Sequence, residues 1–122
     1  MAGHSLRARR PRNDVAAAGE IRSDPDVVRR FLEDAAHFPG GHAAGIAAPG
    51  SEGEVAAVLR SAASVLPIGA QSSLTGGATP MGDLLLSTSR LNRILEIRTD
   101  TVRVEAGVTL LDLDAALARA GK

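Results

Sequence analysis

The sequence predicts an α+β domain in which a β-α-β unit joins a mainly antiparallel set of strands. Three observations predict it. An S-x-x-E box opening an apolar helical stripe lies between two short apolar runs at 46–48 and 65–68. Two runs rich in β-branched residues, 94–97 and 101–104, are separated by a turn at Thr99-Asp100. A last amphipathic segment runs from Thr109 to Gly121, residue types that suit a helix start and a helix stop.

The elements follow in chain order. Residues 1–20 hold Pro11, Gly19 and four arginines but no apolar periodicity, which predicts a disordered tail. Asp24 suits an N-cap and Pro25 a first helical position. Val27, Val28, Phe31, Leu32 and Ala35 then recur at helical spacing, predicting a helix that ends by Phe38-Pro39-Gly40-Gly41. Ile46-Ala47-Ala48 is a short strand stopped by Pro49. Ser51 and Glu54 begin the next helix, with Val55, Val58, Leu59 and Ala62 as its buried stripe, and Val65-Leu66-Pro67-Ile68 is the following strand, most simply reached by a parallel crossover. Leu84 to Ser87 resumes strand character, and 94–97 with 101–104 forms a hairpin. In the final helix Leu110, Leu113, Ala116 and Leu117 share a face.

Composition narrows function. A chain of 122 residues makes one domain or part of one. Phe31 and Phe38 are its only aromatics, which excludes a base-stacking platform. Lys plus Arg and Asp plus Glu both total 14, and with Arg7, Arg9, Arg10 and Arg12 crowded at the start, the rest is mildly acidic; neither fact supports nucleic-acid binding. No run is apolar enough to span a membrane or to form a signal core, and there is no cysteine, so a soluble, cytoplasmic protein is expected. His4, His37 and His42 make no metal set, the i, i+2 spacing of Asp112 and Asp114 separates them around a helix, and no catalytic residue is assignable.

The chemistry-bearing stretch is 67–80, Pro-Ile-Gly-Ala-Gln-Ser-Ser-Leu-Thr-Gly-Gly-Ala-Thr-Pro. Glycines and small residues let backbone N–H groups turn inward together on a phosphate, with Ser72, Ser73 and Thr75 adding hydroxyls and Gln71 an amide. The same composition also describes an exposed surface loop. It is neither a G-x-x-x-x-G-K-[ST] loop nor a G-x-G-x-x-G turn opening a helix.

This stretch resembles the pyrophosphate loop of the PCMH-type (vanillyl-alcohol oxidase type) FAD-binding domain. Ala48-Pro49-Gly50-Ser51 with Glu54-Val55 is similar to that family's P-x-S-x-x-E-V block, Leu84 to Ile97 to its l-l-l-S-x-x-r-l-N-r-I-l-e-i block, and Val104 to Val108 to its V-e-a-G-V turn. The tone is that of the D-lactate, glycolate and D-2-hydroxyglutarate dehydrogenase branch. The resemblance implies that Gly69, Ala70, Gln71, Ser72, Ser73, Gly76 and Gly77 hold the FAD pyrophosphate, and that Gly107 lets the backbone approach the adenine half. Ile68 stands where many members have Arg, and Gln71 where they have Gly or Asn. Ser72 stands where covalently tethering members have His, which implies noncovalent FAD. The family's next flavin-contacting block and its substrate domain would follow Gly121. Residues 21–122 therefore read as a truncated, incomplete FAD-binding domain, the first subdomain plus part of the second. The implied function is the FAD-binding portion of an oxidoreductase acting on a small 2-hydroxy acid, inactive alone. The alternatives are a noncatalytic FAD-binding or interaction subunit completed by a partner chain, and a nonfunctional gene fragment.

Overall fold

A computed structural model describes residues 20–122. The tail expected at 1–20 thus lies, except for Glu20, outside the described residues. Among the described residues, backbone pairing starts at Arg22, which exchanges two 2.8 Å hydrogen bonds with Ile46 in an antiparallel bridge.

Asp24 caps the first helix, its carboxylate accepting from the Asp26 N–H at 3.0 Å, and Pro25 opens it. Helix α1 covers only Pro25–Val28 and tightens into a 3₁₀ turn at Arg29–Phe31, well short of the expected end at Phe38. The reason is tertiary. The N–H groups that would extend the helix are taken elsewhere: Ala36 bonds the Asp34 carboxylate, Ala35 bonds the Gln71 carbonyl, and His37 sits at φ +53°.

Strands β1 (Gly45–Ala47), β2 (Val65–Ile68) and β3 (Leu84–Ser87) form one parallel sheet in the order β1-β3-β2. The crossover through helix α2 (Glu52–Ser61) is parallel as expected, but β3 lies between the two strands it connects rather than in the antiparallel set. Burial explains the placement. Leu84 and Leu86 pack with Ala47 and Val58 under α2, while Leu85 faces Ile46, Phe31, Val28 and Ile68. A strand apolar on both faces belongs in the middle. Pro67, which has no N–H for the ladder, is tolerated because β2 is an edge strand.

In α2, Ser51 Oγ accepts from the Glu54 N–H at 3.2 Å, and Glu54 reaches back to the N–H of Gly50 at 2.7 Å, one residue before the usual partner. Val55, Val58 and Ala62 turn inward, but Leu59 is half-exposed and not part of the buried stripe. Strands β4 (Ile94–Ile97) and β5 (Val102–Val104) make the expected antiparallel hairpin, with a register irregularity between Ile94 and Glu96. Helix α3 (Leu110–Arg119) is capped by Thr109 and closed by Gly121 at φ +72°. Leu113, Ala116 and Leu117 are half-buried, whereas Leu110 points to solvent and leaves the expected face.

Candidate functional site

Because the three strands are parallel, their carboxyl ends share one edge of the sheet, the usual place for a ligand crevice in such sheets. Three segments emerge there: Ala48 to Ser51, which leads into α2; the glycine-rich loop after β2; and the turn 88–91 after β3. They are tied together. Thr88 donates from its N–H and its hydroxyl to the Ile68 carbonyl at 3.0 and 3.3 Å. Arg90 donates to the Ala48 carbonyl at 3.2 Å and lies over Gly50.

The structure thus brings Gly69, Ala70, Gln71, Ser72, Ser73, Gly76 and Gly77 onto one loop at this edge. Its shape is set by left-handed residues, Gln71 at φ +52° and Gly76 at φ +79°. Gly76 is also pressed against Phe38, whose ring a Cβ would meet at 3.0 Å. Gly77 faces the hydroxyls of Ser73 and Thr75, which lie 3.2 Å apart.

Gln71 departs from its expected role as an amide donor to an anion. Its side chain is buried and donates inward, to the carbonyls of Phe31 at 2.8 Å and Ala78 at 3.0 Å. Gly107 packs against the turn 88–91. Its N–H bonds the Leu91 carbonyl at 2.7 Å, and a Cβ there would lie 1.9 Å from the Thr88 carbonyl oxygen. The missing side chain makes room for the turn 88–91, a requirement of the fold itself.

Asp34 is the ionisable group beneath the loop, and sequence reasoning passed over it. Burial pushes its carboxyl up, but hydrogen bonds from the Ala78 and Ala36 N–H groups, with the Ser73 and Thr79 hydroxyls nearby, outweigh that and hold it below its ordinary value. Thr79 Oγ1 acts on the charge through proximity, since it makes no well-formed hydrogen bond, and Gln71 Oε1 is likewise buried without a partner. No local signal marked Asp34 as tied to the loop, because its partner there, Ala78, lies 44 residues away. His37 pairs outward with Glu33 at 3.0 Å, His42 contacts the Gly40 carbonyl, and no set of three metal-ligating side chains exists among the described residues. Arg93 and Arg98 are spent on Glu105 and Glu96.

A pyrophosphate presents only acceptors, so its site must offer unspent donors. The N–H groups of Gly69, Ser72, Ser73, Gly76 and Gly77 have no hydrogen-bond partner among the described residues, nor does the Ser72 hydroxyl. The loop fits an anionic diphosphate held by backbone.

Residues 43–122 match a family described as FAD binding domain. The chain belongs to that FAD-binding family. Two relatives from two strains of Mycobacterium tuberculosis, each named an uncharacterized FAD-linked oxidoreductase, are 42% identical over 82 residues. The similarity covers 62% of this chain and 18% of each relative, so the chain spans under a fifth of the curated relatives it matches. This FAD-binding domain has the mixed α+β content of the PCMH type, and among its described residues no helix is long and apolar enough to cross a membrane.

Proposed function

We propose that the chain binds FAD noncovalently, with the pyrophosphate against the backbone of Gly69, Ala70, Gln71, Ser72, Ser73, Gly76 and Gly77. The observation that carries this reading is the set of unspent N–H donors at Gly69, Ser72, Ser73, Gly76 and Gly77, on a loop at the carboxyl edge of a parallel sheet. Ser72 offers no nucleophile suited to a flavin tether, which supports noncovalent binding. Gly107 serves the site indirectly, by seating the turn that buttresses Ile68.

The wider activity we propose is oxidation of a small 2-hydroxy acid, as the resemblance to the D-lactate, glycolate and D-2-hydroxyglutarate branch suggests. Bound FAD would supply hydride acceptance; this chain supplies position and donors for its phosphates. No side chain at the loop is placed as a base for a substrate hydroxyl, so residues 21–122 act as part of an FAD-binding unit without turnover of their own. Leu110 and Leu111, 85% and 79% exposed, favour completion by further protein, in the same polypeptide or in a partner chain. The lack of cysteine suits a reducing, cytoplasmic setting.

The test is titration of the purified chain with FAD, followed by flavin fluorescence and thermal shift, beside a Gly77→Val variant. Gly77 is the better probe than Gly76, because a Cβ there meets only hydroxyls at 3.6 Å and needs no left-handed backbone. Saturable binding that weakens about tenfold or more in the folded variant supports the site. A folded wild-type chain that shows no saturable binding overturns it.

A further inference from the structure

We infer that Asp34 is a positioning residue for the FAD loop, clamping it together with Gln71 onto the turn at 31–36 so that its N–H groups stay aimed at an anion. This rests on the FAD reading above, and Asp34 lies outside the segment matched to the family.

The loop has no apolar anchor of its own. Between Gly69 and Ala78 no apolar side chain is buried, and Leu74 is 79% exposed. Glycine-rich backbone loses much conformational freedom on ordering, so something other than a hydrophobic core must hold it. Polar contacts to the 31–36 turn do so. Asp34, only 3% exposed, accepts the Ala36 N–H on Oδ1 at 3.0 Å and the Ala78 N–H on Oδ2 at 3.3 Å, one bond shaping its own turn and the other reaching 44 residues along the chain. Gln71 completes the clamp from the loop side, its side-chain amide donating to the carbonyls of Phe31 and Ala78 and its main-chain carbonyl accepting from the Ala35 N–H at 3.0 Å. The two side chains converge on Ala78 and so fix the end of the loop just beyond Gly76 and Gly77. A turn alone would be served by an exposed Asn or Ser. A buried carboxylate is costly unless its donors are held in place, and here one of them, the Ala78 N–H, belongs to the end of the loop.

The experiment uses the full chain carrying Asp34→Asn, which keeps an oxygen for Ala36 but sets an amide donor against the Ala78 N–H. Val58→Ala, a core change under α2 away from the loop, serves as the stability control. Amide exchange at Ala35, Ala78 and Thr79 and ¹⁵N relaxation of residues 72–77 are read without FAD, then FAD affinity is measured. The expected result for Asp34→Asn is faster exchange at those amides, order parameters falling toward ~0.6 and affinity about tenfold weaker. Val58→Ala should lower the thermal midpoint but leave affinity within about twofold, its site being independent of the loop. An Asp34→Asn loop as ordered as wild type overturns the clamp. A loosened loop with unchanged affinity, or a loss of affinity matched by Val58→Ala, overturns its positioning role. A wild-type chain that fails to bind FAD overturns the FAD reading itself, and the apo relaxation data distinguish that failure from failure of the clamp.

Discussion

Replacing Gly107 by alanine separates a glycine kept for the cofactor from one kept for the fold. In the structure a Cβ at 107 would lie 1.9 Å from the Thr88 carbonyl oxygen and 2.7 Å from that of Leu91, where ordinary contact begins at 3.4 Å. The strand exit and the turn must therefore part by about 1.5 Å, a backbone displacement that no rotamer change can absorb. That movement breaks the 2.7 Å bond from the Gly107 N–H to the Leu91 carbonyl, worth ~0.5–1.5 kcal/mol. Overpacking adds ~1–3 kcal/mol, for a sum of roughly 2–4 kcal/mol. For a domain of this size the thermal midpoint would fall by about 10 °C or more. The assay is urea and thermal denaturation of Gly107→Ala without flavin. A variant that melts within about 2 °C of wild type yet loses FAD affinity would refute the argument and return Gly107 to the cofactor.

Two further outcomes are expected. Ser51→Ala removes the acceptor for the Glu54 N–H at the start of α2 and should cost about 1 kcal/mol in urea denaturation; no loss would show that the Glu54 to Gly50 bond suffices as a cap. Acid should destabilise the chain. Burial pushes Asp34 up but hydrogen bonds from the Ala78 and Ala36 N–H groups outweigh it, while Asp83 is lowered by the Met81 N–H and Ser64 hydroxyl and Glu105 by hydrogen bonds from Arg93. Carboxylates lowered in the folded state contribute stability fully present above their ordinary values of 3.8 and 4.5 and lost as pH falls through the folded values. Thermal midpoints at constant ionic strength should thus drop below about pH 4.5, and a flat profile from pH 5 to 3 contradicts the three assignments.

The parts of this fold legible in the sequence are those whose determinants are local. The Ser51 and Thr109 caps, the Thr99-Asp100 turn and the stop at Gly121 each act within a few residues, and each element they bound is present. What escaped was set at a distance. Continuous burial of Leu84, Leu85 and Leu86 is the signature of a central parallel strand, and its apolar run was visible, but only the sheet order shows that β3 divides β1 from β2. The first helix has helical spacing through Ala35 and still falls short of it, with the Ala35 and Ala36 N–H groups taken by the Gln71 main-chain carbonyl and the Asp34 carboxylate.

The candidate site divides along the same line. Its glycines and hydroxyls read as an anion loop because backbone donors need little from elsewhere, and five N–H groups there have no partner among the described residues, as that composition permits. The assignment of Gln71 as a ligand donor was not decidable locally. Its side chain turns toward Phe31, forty residues back, and its amide donates to the carbonyls of Phe31 and Ala78. A loop that binds through its backbone uses its longer polar side chains to hold that backbone still. On the proposed FAD reading, Gln71 and Asp34 position the loop and leave Ser72 and Gly77 for the ligand.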